Sequence, residues 1–133
     1  MDPLSIAASI VALAQAASTI TNIVSDIRDG GKDRENLLEE LKLVKQVLVC
    51  VKDQGEAWNA SFDPRGSIRR LNVIFDAIHA KIKPPDCRMN QSLHSLRWPF
   101  EKKAVREYVS EIERLKSTLS MGLQINHRYI QHH

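Results

Sequence analysis

Apolar residues recur along four stretches of the chain at alternating steps of four and three. In the first stretch Ile6, Ile10, Leu13, Ala17, Ile20, Val24 and Ile27 step 4-3-4-3-4-3. That spacing draws one continuous apolar stripe down a helix of about seven turns. Asp2 suits the N-cap, and Pro3 suits the first turn, where a missing N–H costs nothing. Gly30-Gly31 ends the helix. The second stretch predicts a helix from Asp33 to Lys52, with Asp33 as N-cap and a stripe of Leu37, Leu41, Val44, Leu48 and Val51. On its wet side Glu39 and Lys42 stand close enough to pair weakly.

A loop from Asp53 to Asp63, carrying Gly55 and Trp58, leads to a third helix that opens at Asp63-Pro64. Its stripe is Ile68, Leu71, Phe75, Ile78 and Ile82, with Ile74 beside it, and Pro84-Pro85 stops it. A polar connection over 83–98 follows. The fourth helix starts at Pro99 and buries Val105, Tyr108, Ile112, Leu115 and Leu119, continuing past Gly122 to Leu123 and Ile130. No segment alternates apolar and polar residues over a strand's length, and Asp29-Gly30 falls between two helix patterns rather than in a hairpin. The predicted fold is all-α: a four-helix bundle, up-down-up-down, with a long fourth helix. It is expected to form one domain over residues 1–131, with His132-His133 set aside as a tag remnant.

Composition changes this picture in one respect. The chain has 133 residues, 43% apolar and 26% charged, which is ordinary for a globular domain able to bury its own core. Its two cysteines, Cys50 and Cys87, have no CxxC spacing, which argues against a disulfide scaffold or a zinc ribbon. The charge distribution is the unusual feature. From Pro3 to Ser25 there are 23 residues with no Asp, Glu, Lys, Arg or His.

A secretory signal would explain such a stretch, and Ala12-Leu13-Ala14 and Ala14-Gln15-Ala16 resemble cleavage sites. However, the leading Met1-Asp2-Pro3 carries an acid and no base. A permanent membrane span has the right length, but Ser5, Ser9, Gln15, Ser18, Thr19, Thr21, Asn22 and Ser25 dilute it. Two readings remain. A helix enclosed by three others would be uncharged through burial alone. A helix that leaves the bundle, or packs on copies of itself, would be uncharged for its function. Ala8, Ala12 and Ala16 form a small-xxx-small row that allows close helix approach. Exposure of the Ala8, Ala12, Ala16 and Thr19 face separates the two readings.

The net charge of +3 comes from the last connection and the last helix, through Lys83, Arg88, Arg97, Lys102, Lys103 and Arg106. A solvated face accounts for such a run. The sharper reading makes Arg97, Lys102, Lys103 and Arg106 contacts for anionic lipid headgroups. Nucleic acid is disfavoured, because acids are interleaved through the fourth helix and no aromatic stacking platform accompanies the bases.

No phosphate loop, nucleophile elbow or HExxH occurs. His79 and His94 stand alone, His127 joins the terminal pair, and Cys50 in its apolar run reads as a small core residue. Asn59-Ala60-Ser61 and Asn90-Gln91-Ser92 match the glycosylation sequon, which carries little weight without a signal peptide. The expectation is a cytoplasmic, non-enzymatic chain with no cofactor, metal or small-molecule substrate.

The opening Met1-Asp2-Pro3-Leu4-Ser5-Ile6-Ala7-Ala8-Ser9-Ile10 resembles the start of many fungal NLR-like (STAND, NACHT–ankyrin) receptors. Leu96-Arg97-Trp98-Pro99-Phe100-Glu101-Lys102-Lys103, Ile112-Glu113-Arg114 and Gly122-Leu123-Gln124-Ile125-Asn126-His127 are similar to later landmarks of the same N-terminal domain. Gly122 and Asn126 depart from the usual Ala and Asp. The resemblance implies a HeLo-like four-helix bundle followed in cis by a nucleotide-binding domain. It also implies clustering on activation and a cell-death or immune-type signal delivered through membrane action of the first helix. The residues of that helix would be Leu4, Ile6, Ala8, Ile10, Ala12, Leu13, Ala16, Ile20, Ile23, Val24 and Ile27. The competing reading is a protein-interaction or autoinhibitory bundle without a membrane role, using Trp58 or the Trp98-Pro99-Phe100 corner as contacts. Trp98, Pro99 and Phe100 also read as a structural clamp at the start of the fourth helix.

Overall fold

The computed structural model describes residues 3–54, 63–82 and 97–132, and the side chains of 6–53, 63–82 and 97–126. Four helices follow in order: α1 (Pro3–Asp26), α2 (Gly31–Gln54), α3 (Arg65–Ile82) and α4 (Lys102–His132). The described residues contain no strand. The all-α four-helix bundle with a long fourth helix is therefore what the chain forms. The predicted stripes meet in one core. Ile10, Leu13, Ala17, Ile20, Val24 and Ile27 pack with Leu37, Leu41, Val44, Leu48, Val51, Ile68, Leu71, Phe75, Ile78, Ile112 and Leu119. Each fully buried Ile or Leu contributes about 2 kcal/mol.

Helix directions alternate, but sequential neighbours are not all spatial neighbours. α1 packs on α2 and α3, and α4 packs on the same two; α1 with α4 and α2 with α3 form the diagonals, with no backbone contact among the described residues. The first turns of α1 (Ile6, Ser9) lie beside the first turns of α3 (Arg65, Ile68). Likewise Lys32 and Asp33 of α2 lie beside Lys102 and Val105 of α4. These two pairs therefore run parallel, while the short α1–α2 link makes those helices antiparallel.

Helix boundaries differ from the sequence reading at the α1–α2 link and at the start of α4, each for a local reason. α1 stops at Asp26, its last turn tightened by the Ile27 N–H donating to the Val24 carbonyl at 3.2 Å. Gly30 and Gly31 then adopt φ of 104° and 51°. These are left-handed values open to glycine, and they let α2 begin at once. Asp33 accordingly sits in the first turn of α2, where its charge meets the helix dipole, rather than at the cap. α4 begins at Lys102 instead of Pro99, because Trp98-Pro99-Phe100 is non-helical and docked on the α1–α2 corner. The cap at Asp63 is as expected: the Arg65 backbone N–H donates to Asp63 Oδ1 at 3.0 Å.

That corner is a clamp. The Trp98 backbone N–H donates to Asp29 Oδ1 at 2.9 Å. Its indole covers Gly30 so closely that a Cβ there would lie 2.7 Å from Trp98 Cδ2. Trp98 meets Phe100 edge-on at 5.1 Å, and Phe100 meets Tyr108 edge-on at 5.7 Å. The ladder ties the start of α4 to the α1–α2 corner across the bundle. Two ion pairs hold α4 elsewhere. Glu111 pairs with Arg70 of α3. Lys116 Nζ lies 2.9 Å from the buried Glu40 of α2, off the line of a hydrogen bond, so the attraction is chiefly coulombic.

Two smaller expectations are corrected. Cys50 is exposed, because the buried positions Leu48 and Val51 turn it outward. Glu39 and Lys42 do not pair; Lys42 lines a groove with α1 residues instead. The Asp2 cap, the Gly55 and Trp58 loop, the Pro84-Pro85 stop, Lys83, Cys87, Arg88, His94, His133 and both sequons lie outside the described residues. So do the side chains of Leu4, His127, Ile130 and His132.

Candidate functional site

α1 has two faces of different chemistry. The inner face is the buried stripe. The outer face is Ala8, Val11, Ala12, Gln15, Thr19, Asn22 and Ser25, all exposed, and it ends on the exposed Asp26. Val11 retains 39% of its surface. Only Ala16 of the small-residue row tucks partly against the core. α1 is therefore not a central helix. Two neighbours cover its inner half, and the diagonal position of α4 leaves the outer half open. Enclosure does not account for the absence of charge between Pro3 and Ser25.

By length and composition, the segment Ile6–Asp26 could cross a membrane, and it alone among the described residues passes that test. Just 22% of its most apolar window is buried, which a fully enclosed core helix would greatly exceed. Ile6, Ile10, Leu13, Ile20, Ile23, Val24 and Ile27 are buried or half-buried in the bundle. Releasing α1 would therefore strip α2 and α3 of their cover. In the folded state only the outer face is available.

The structure does not bring the sequence-predicted headgroup contacts to this face. Lys102 and Arg106 line a cleft with α2 residues Lys32, Asp33 and Glu39. Lys103 and Arg106 share another surface with Glu107, Glu111 and Arg114. Both belong to α4, across the diagonal from α1, and both are interleaved with acids. Arg97 is exposed beside the clamp. Trp98 is half-buried and Phe100 retains 8% of its surface, and both pack in the clamp at the corner.

Sequence reasoning missed the cations that do border α1. Arg65 and Arg69 of α3 line a groove of about 240 Å³ with Ile6, Ser9, Ala12 and Leu13. Lys42 and Lys45 of α2 line another with Ser18, Thr21 and Asn22. Net charge by segment could not reveal them, because the segments holding them are near neutral; only the packing of α2 and α3 on either side of α1 collects these residues.

The Arg65 side chain hydrogen-bonds Asp63, and with the backbone bond this holds the Asp63 carboxyl below its usual range. The Arg70 hydrogen bond does the same for Glu111, against a smaller opposing effect of desolvation. Among the described residues no group of three or more His, Cys, Asp or Glu is placed to hold a metal ion. Compared with known proteins, the chain matches no family model, no curated protein and no solved structure.

Proposed function

We propose that this chain is a cytoplasmic signalling module of the HeLo-like type, the N-terminal effector of a fungal NLR-like receptor. Clustered by a nucleotide-binding domain that follows it, it oligomerises and perturbs membranes through α1, promoting a cell-death or immune-type signal. The observation that carries this reading is an exposed helix face with no charge from Ala8 to Ser25, ahead of Asp26 at its end. A soluble bundle gains nothing from such a face, whereas lipid penalises each charge at the centre of a span by roughly 2.5–3.5 kcal/mol. Ser and Thr can satisfy themselves on the helix backbone or across helices, and clustering raises the local concentration of the Ala8, Ala12 and Ala16 row.

The test fuses residues 1–133 to an inducible oligomeriser and follows dye release from liposomes and cell viability. Release on induction, abolished by deleting residues 1–20, is the expected result. Release that survives the deletion, or no release at all, overturns the reading.

A second reading, a non-membrane interaction or autoinhibitory bundle, draws on the exposed Met121 (61%) and Ile125 (37%) of α4. Met121→Lys would then abolish partner binding and leave liposome leakage unchanged.

A further inference from the structure

The bases at the start of α4 stand away from the α1 face and open onto a cleft of their own. Along one wall Lys32, Asn36, Glu39 and Leu43 of α2 step 4-3-4. Along the other Lys102, Arg106, Val109 and Glu113 of α4 step the same way. The two helices run parallel, so both rows begin with a base at the near end and hold their acid further on. At the near end Lys32, Lys102 and Arg106 face a single lining acid, Asp33. Further along, Glu39 and Glu113 stand over the Glu40–Lys116 pair, whose charges cancel. Leu43, 37% exposed, and the half-buried Val109 add apolar surface. Neighbouring charges belong to other surfaces. Lys42 lines the groove beside α1, and Lys103, Glu107 and Arg114 line the outer side of α4 with Glu111. Glu35 and Glu101 are exposed near the cationic end without lining the cleft.

We propose that this cleft pairs two copies of the chain about a two-fold axis beside Val109, with α4 antiparallel to α4. A two-fold contact uses the same patch on both copies, so the patch must complement its own reverse. The α4 row does so: it reads base, base, valine, acid. Reversed on itself, it sets Arg106 of each copy against Glu113 of the other and brings the two Val109 side chains together. An anionic surface such as a bilayer or a nucleic acid would meet Glu39 and Glu113. A peptide of one charge sign would suit one end of the cleft and oppose the other. Because α1 stands on the diagonal from α4, pairing leaves both α1 outer faces turned to solvent. The pairing needs no membrane and no following domain, so it stands apart from the effector reading.

Sedimentation equilibrium of the isolated chain tests it. A small, charged interface predicts a weak dimer, with a dissociation constant on the order of 10–100 µM. Pairing should weaken when salt rises from about 0.1 M to about 0.5 M. Arg106→Glu and Glu113→Arg should each weaken it by more than about tenfold, because two-fold symmetry repeats every like-charge contact. Mixed one to one, the two variants should pair about as tightly as the parent, since both contacts then join opposite charges. The Arg106→Glu/Glu113→Arg double variant should recover pairing as well. Both side chains are exposed, so the circular dichroism of each variant should match that of the parent. Ala12→Arg, on the outer face of α1, should leave pairing unchanged.

A chain that stays monomeric up to about 500 µM, well above the range of weak specific contacts, overturns the proposal. So does pairing that ignores either single reversal, failure of the two variants to pair when mixed, or a dimer lost in Ala12→Arg.

Discussion

On α4 the positions facing water are Lys103, Arg106, Glu107, Glu113 and Arg114; on α1 they are Ala8, Ala12, Gln15, Thr19 and Asn22. The inner faces of the two helices are alike. Val105, Ile112, Leu115 and Leu119 on one and Ile10, Leu13, Ile20 and Val24 on the other are buried in the same core at the same helical spacing. Core formation thus accounts for the stripes and is indifferent to what lies behind them. α4 carries the mixed-sign surface of an ordinary soluble helix, stabilised a little by pairs such as Arg114 with Glu111 at 3.7 Å. α1 has the same freedom to carry charge and carries none from Pro3 to Ser25, its only acid being the exposed Asp26 at its last position. The difference is one that core formation does not explain, because folding demands nothing of that face.

The largest effect that would break this comparison comes from moving charge between the faces of α1. Ile20→Asp places a carboxylate at a position 1% exposed. We expect a loss above about 4 kcal/mol, and so unfolding of most variants of a domain this size. Gln15→Glu, on the outer face, should change urea-unfolding stability by no more than about 0.5 kcal/mol while suppressing membrane leakage. A large stability loss from Gln15→Glu would show that the outer face is structural after all.

The clamp comes next. Trp98→Ala should cost about 2–3 kcal/mol in thermal unfolding, below the value for a fully buried Trp because the ring is half-exposed. Gly30→Ala should disturb the same contact from the other side, by more than about 1 kcal/mol, since its Cβ would meet Trp98 and its φ of 104° is strained for alanine.

Smaller still, Lys116→Met should cost about 2 kcal/mol by leaving Glu40, 6% exposed, without its counter-charge. Adding Glu40→Gln should recover most of that loss in a double-mutant cycle. The smallest effect is acid sensitivity. Asp63 and Glu111 are held below their ordinary values by arginine partners. Both groups therefore bind protons more readily unfolded than folded. Their stabilisation is complete above the ordinary carboxylate range and fades as pH falls through the lowered folded values. Both lie near the surface, so the slope is shallow and screened by salt. Arg70→Gln should flatten the part that belongs to Glu111.

Much of the architecture could be read directly from residue spacing. The four stripes named the core almost residue for residue, since a heptad-like step has one solution for which positions face inward. Asp63 was readable as a cap because an Asp before Pro at a helix start has few other uses. The Trp98 clamp was readable as a hydrophobic cluster but not as a lid on Gly30, because that contact joins residues 68 positions apart. Cys50 was misread because an apolar neighbourhood in sequence is not an apolar neighbourhood on a helix: one residue of rotation turned it outward. The headgroup-contact candidates were chosen by net charge per segment, a measure blind to which helices become neighbours.

The sequence alone determined the helices, their buried stripes and the absence of charge from Pro3 to Ser25, because these depend on local spacing and composition. Only the tertiary structure decided that α1 occupies a corner rather than the centre. It also decided that α4 with its basic cluster stands on the far diagonal, and that Lys42, Lys45, Arg65 and Arg69 line grooves beside α1. Those facts depend on which helices pack together, and identical stripes on four helices leave that choice open until loops, clamp and cross-bundle ion pairs settle it.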